Sequence, residues 1–156
     1  MSEELKIEEI LKMFEEYPTL TPLQRVVLSS TTTVQSMLAT IFKTQVVAKL
    51  IAQKSFGNVD IRWVRLVTKE DNKVVCLAES VLPHETNSKD FLDELRKGEE
   101  GGIGMVITKR GIKTERKIIG LYADEHVFTR TYSLTGERVD ITITEVFPNK
   151  DFSVGS

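Results

Sequence analysis

Apolar residues along the chain follow two periods, and the change between them falls near residue 45. Before it the spacing is helical. Ile7, Ile10, Leu11 and Phe14 recur three and four residues apart, with glutamates opposite and Pro18 just beyond, which predicts an amphipathic helix over residues 2–17. Thr21 followed by Pro22 reads as an N-cap and a first-turn proline. Leu23, Val26 and Val27 supply the stripe of a short second helix. Val34, Met37, Leu38 and Ile41 make a third. The threonines at 31–33 are β-branched and able to bond their own backbone, so they suit a tight connection that can face a ligand.

From residue 45 the period shortens toward two. VVAKLIAQKSF, DIRWVRLVTK and KVVCLAESVLP read as strands, the last two joined through Asp71 and Asn72 into a hairpin that Pro83 ends. SKDFLDELRKG predicts a short helix closed by Gly98, and the glycines of GEEGGIGMVITKRG predict a flexible connection or a close backbone approach. TERKIIGLYA and HVFTRTYSL flank a turn at Asp124 and Glu125, and Thr135 and Gly136 lead into ERVDITITEVF. Helices followed by mainly antiparallel strands define an α+β domain, a β-sheet flanked by helices. No repeat or linker divides residues 1–156, and the tail at 146–156 carries too little apolar content to be ordered to its end.

Strand alternation places several charges on apolar faces. Glu145 shares one with Ile141, Ile143 and Phe147; Arg65 with Ile61, Trp63 and Val67; Glu79 with Val75, Leu77 and Val81. Arg116 falls with Ile118 and Tyr122, and Arg130 with Phe128 and Tyr132. A charge in mid-strand is ordinarily solvated or held in a structural ion pair. In a dry core these groups are costly without partners, and arginines beside an adjustable carboxylate suit a pocket for a small carboxylated molecule.

Composition narrows the classes of function. The 21 Lys and Arg against 23 Asp and Glu leave a net charge of −2, which gives no broad attraction to nucleic acid or to an anionic membrane. The single cysteine, Cys76, forms no internal disulfide and is expected to pack as a small apolar side chain. No apolar run spans a bilayer and the acidic N-terminus is unlike a signal peptide, so a cytoplasmic location is expected. His84 and His126 stand apart without metal-ligand spacing, so no metal site is expected. GGIGM neither completes a GxGxxG fingerprint nor follows a convincing strand.

WVR at 63–65, LAESVLP at 77–83, the glycine-flanked Ile103 in GGIGM and TEVFP at 144–148, taken in order, resemble the chorismate pyruvate-lyase family, most closely its archaeal and mycobacterial branch. The likeness runs from roughly residue 20 onward. It implies a mostly antiparallel sheet with a pocket under helical flaps, and elimination of pyruvate from chorismate to leave 4-hydroxybenzoate, with no cofactor. By that resemblance Arg65 would bind the ring carboxylate and Glu145 would sit at the 4-hydroxyl and ether oxygen as the catalytic group. Ile103 and Thr32 would line the ligand, and Arg116 or Arg130, near Tyr132, would meet the second carboxylate. Glu79 replaces an arginine that bacterial members carry. The same UTRA-like fold serves as the effector-sensing domain of bacterial transcription regulators. Since roughly 45 residues precede the first strand, too few and too acidic for a winged helix, the rival expectation is a stand-alone sensor without catalysis.

Overall fold

Three helix starts are set by side-chain caps. Thr21 Oγ1 accepts from the Gln24 amide while Gln24 Oε1 accepts from that of Thr21, a capping box that opens a helix at Pro22. Thr33, last of the threonine run, caps the next helix through the Ser36 amide, and Ser88 does the same for Phe91. The computed structural model describes residues 7–98 and 102–152. Its elements are α1 (Ile7–Glu15), α2 (Pro22–Ser29), α3 (Val34–Phe42), β1 (Val46–Phe56), β2 (Val59–Thr68), β3 (Val74–Pro83), α4 (Lys89–Arg96), α5 (Gly102–Lys109), β4 (Thr114–Ala123), β5 (Val127–Gly136), β6 (Val139–Pro148) and a 3-10 turn, Asn149–Asp151. The first residues of the predicted opening helix, 2–6, part of the glycine-rich connection, 99–101, and the end of the tail, 153–156, lie outside the described residues. Among the described residues no helix is long and apolar enough to cross a membrane.

The strands form one antiparallel sheet in the order β1-β2-β3-β6-β5-β4, so the α+β expectation holds. β6, last in the chain, is inserted between β3 and β5. One face is covered by α2 and α3 over Val46, Leu66, Cys76, Phe128 and Phe147, and by α4 and α5 over Leu82, Leu134, Ile141 and Ile143. Cys76 packs there as expected, and burial raises its thiol pKa well above the ordinary value.

Two connections depart from expectation. Residues 102–109 of the glycine-rich stretch are helical, because Ile107 has an apolar surface to bury against. The predicted close approach is real at Gly102: its φ is +68°, and an added Cβ would lie 3.2 Å from that of Ala48. The tail is also anchored further than its composition suggests. Phe152 is buried, its ring 5.5, 5.1 and 5.7 Å from those of Phe42, Phe128 and Phe147.

Strand phase is as predicted on β5 and β6 and opposite on β2 and β3. Phe128, Arg130, Tyr132 and Leu134 face inward, as do Ile141, Ile143, Glu145 and Phe147. On β2, however, Asp60, Arg62, Val64 and Leu66 are the buried set, and Arg65 is exposed on the far face. On β3 the inward set is Cys76, Ala78, Ser80 and Leu82, leaving Glu79 to accept from Trp63 Nε1 outside at 3.0 Å. On β4 a bulge between Ile118 and Gly120 reverses the phase midway, so Arg116 and Ile118 face in while Tyr122, expected with them, is exposed.

Candidate active site

The sheet register draws two rows of side chains across the inner face. One runs Gln53, Arg62, Ser80, Ile143, Tyr132; the next runs Leu50, Val64, Ala78, Glu145, Arg130. Between Arg62 on β2 and Glu145 on β6 stands β3, and there the inward residues are the smallest available, Ser80 and Ala78. Two strand spacings, about 10 Å, separate the flanking strands. A hollow of about 660 Å³ opens over this floor, walled by the start of α3, the start of β1 and α5. Its size suits a small organic ligand.

At one side lies a buried ion pair. Arg130 Nε donates to Glu145 Oε1 at 2.6 Å, and the hydroxyl of Tyr132 donates to Glu145 Oε2 at 2.8 Å. Arg130 is 0% and Glu145 1% exposed, so each carries the other's desolvation cost. Arg130 Nη1 also donates to the carbonyls of Val27 and Ser30, tying the end of α2 to the sheet; its Nη2 is buried without a partner. Burial, reinforced by the Glu145 charge and opposed by Arg116 and Arg130, pushes the Tyr132 phenol far above its ordinary pKa. It stays a neutral donor. Arg116 stacks on the Tyr132 ring at 4.4 Å and donates to the Thr32 carbonyl at 3.1 Å.

At the other side lies Arg62, 2% exposed. Its Nη1 donates to the Leu95 carbonyl at 2.6 Å and to Gln53 Oε1 at 3.3 Å, while its Nε is buried with no partner. Burial lowers its pKa to about 10, still charged at neutral pH. Arg62 lines the hollow, and a guanidinium there with N–H groups unpaired is a ready donor to an anion.

Of the residues expected to bind, the hollow is lined by Glu145, Ile103, Arg116 and Tyr132. Arg130 stands behind Glu145 and serves it rather than the cavity. Thr32 is exposed and contributes its carbonyl to Arg116; Thr33 is the residue that lines the hollow. Arg65 is not brought to the site, because β2 runs in the opposite phase and points it to solvent. Arg62, on the inward face of the same strand, lines the hollow instead. It was legible only by taking Asp60, Arg62, Val64 and Leu66 as the inward set. His84, expected to be an ordinary edge residue, bonds Asp60 at 2.7 Å.

Asp60 carries a pH expectation of its own. Burial would raise its pKa, but hydrogen bonds from Ser55, Gln53, His84 and Arg96 outweigh that and hold it well below the ordinary 3.8. A carboxyl depressed in the folded state stabilises fully above its unfolded pKa and loses that contribution as pH falls toward the folded value. Asp60→Asn is therefore expected to cost about 2–3 kcal/mol at pH 7, and less at pH 3, in urea unfolding.

Among the described residues the architecture is an α+β fold, one six-stranded antiparallel sheet with five helices. The crystal structure of PhnF from Mycobacterium smegmatis is similar to this chain with a TM-score of 0.56 at 16% identity, covering 80% of this chain and 67% of that one. At that identity the likeness is one of fold. No known protein family and no curated protein matches the sequence.

Proposed function

We propose that the protein is a chorismate pyruvate-lyase acting without a cofactor. The observation that supports this best is a buried carboxylate, Glu145, facing a hollow of about 660 Å³ that two further arginines, Arg62 and Arg116, also line. Chorismate carries two carboxylates, and two cations at separate walls suit it. In the reaction the ring carbon bearing the hydroxyl gives up its hydrogen to the methylene carbon of the enolpyruvyl group as the neighbouring ring carbon–oxygen bond breaks. The ring becomes aromatic and the enolpyruvyl group leaves as pyruvate. Glu145 has lone pairs to spare for the 4-hydroxyl and offsets positive character developing on the ring, while the arginines fix the carboxylates.

A second reading, binding of a carboxylate effector without catalysis, is favoured by the engagement of both Glu145 oxygens with Arg130 and Tyr132. Incubation with chorismate, following 4-hydroxybenzoate and pyruvate together, separates the two. Release of both supports the lyase. Tight 4-hydroxybenzoate binding with no release supports the sensor.

Arg62→Leu tests the anion site under either reading. Its 4-hydroxybenzoate affinity is expected to fall about 10–100-fold by calorimetry, the weight of one charge-assisted contact. The urea midpoint should change little, since a costly buried cation leaves with it. Unaltered affinity would remove Arg62 from the site.

A further inference from the structure

Behind the Arg62 side of the cavity stands a chain of hydrogen bonds with a direction built into it. Asp60, 0% exposed, accepts four contacts: Ser55 Oγ at 2.5 Å and His84 Nε2 at 2.7 Å on Oδ1, Gln53 Nε2 at 2.8 Å and Arg96 Nη2 at 2.6 Å on Oδ2. The Gln53 amide lies between this carboxylate and Arg62, its carbonyl oxygen taking the Arg62 Nη1 hydrogen at 3.3 Å. Its orientation is dictated at both ends. A carboxylate only accepts and a guanidinium only donates, so the NH₂ must face Asp60 and the oxygen must face Arg62. Turning the amide over would set acceptor against acceptor and donor against donor. With Nη1 held by Gln53 and Leu95, Nη2 and the buried Nε are the donors that Arg62 keeps unpaired.

We propose that Asp60 and Gln53 are positioning residues that orient Arg62 for an anionic ligand, and that His84, at the outer end of this relay, makes the orientation respond to pH. The ligand part rests on the anion-binding reading above; the relay itself does not. His84 is one-third exposed, at 33%, so it exchanges protons with solvent while touching a buried carboxylate. The charged groups facing the relay are Asp60 from β2 and Arg96 from α4, the latter also paired with Asp93 at 2.9 Å. A proton on His84 adds a third cation around Asp60, beside Arg96 and, through Gln53, Arg62. It draws the carboxylate's charge toward Oδ1 and weakens the hold on the Gln53 amide.

The test follows arginine Nε–H resonances in protein labelled with ¹⁵N-arginine, with Arg62→Lys to assign the signal and the His84 ring proton observed in parallel. Across a pH series the Arg62 resonance is expected to follow the His84 ring signal, and to lose that movement in Gln53→Met and in His84→Gln. The His84 variant, at the exposed end, decides the matter if the Gln53 variant fails to fold. An Arg62 resonance that stays fixed while His84 titrates, or that moves alike in a folded Gln53→Met protein, overturns the relay. In the ligand arm, Gln53→Met is expected to weaken 4-hydroxybenzoate binding about tenfold. If the wild-type protein does not bind 4-hydroxybenzoate, the ligand reading falls, and the arginine resonance still decides the relay.

Discussion

Glu145→Gln is expected to lower turnover of chorismate by at least about 100-fold, the usual weight of a proton-handling or charge-stabilising group in the transition state, and to keep the fold at reduced stability, because the buried Arg130 loses its counter-charge. Glutamine keeps the site's geometry. Its oxygen can still accept from Arg130 Nε, and the Tyr132 hydroxyl can rotate from donor to acceptor for the new NH₂. What disappears is the negative charge. Single-turnover mixing with chorismate separates lost chemistry from lost binding, since product affinity should fall far less than rate. Glu145→Ala is the poorer test because it leaves Arg130 charged, buried and unpaired. A Glu145→Gln protein that retains activity within about threefold has lost too little for a general acid–base role.

Arg130→Ala is expected to destabilise the protein by about 3–5 kcal/mol, the cost of stranding one member of a buried ion pair. Three contacts fail at once: the bond to Glu145 and both bonds to the α2 carbonyls of Val27 and Ser30. Urea unfolding should show a lower midpoint, and amide exchange should rise first around Ser30, where α2 loses its tie to β5. Adding Glu145→Leu should recover a good part of the loss, since it removes the stranded carboxylate and fills the space with carbon. Two single costs that simply add in the double variant would mean that the residues do not act as a pair.

How much of this was legible in the sequence depended on what lies above each strand. β5 and β6 cover a packed core, so Phe128, Leu134, Ile141, Ile143 and Phe147 mark the inward face and carry Arg130, Tyr132 and Glu145 with them. On β2 and β3 the contrast inverts. The hollow faces the middle of their inner side, so Arg62, Ala78 and Ser80 stand there among the inward Val64, Leu66, Cys76 and Leu82, while Trp63, Leu77 and Val81 sit outside. Alternation read for greasiness therefore chose the wrong face of both strands and selected Arg65. On β4 a single bulge moved Tyr122 outward, and no residue between Ile118 and Gly120 signals it beyond the glycine. The second helix was legible because its cap, Thr21, acts locally, whereas Thr33, read as part of a connection, turned out to cap α3, and Ser88 caps α4. Helix α5 was missed because its glycines argue against a helix that tertiary burial of Ile107 sustains.

The placement of β6 between β3 and β5 bears on how the chain is made. Until residues 139–148 have been synthesised, β3 and β5 each present an unsatisfied edge, and the guanidinium of Arg130 has no counter-charge to fold against. Sheet completion and assembly of the Arg130–Glu145 pair are thus a single late event, dominated by pairings distant in sequence, so folding should be slow for a domain of this size. A nascent polypeptide halted before that point would be a candidate for chaperone capture or aggregation rather than a partly working protein.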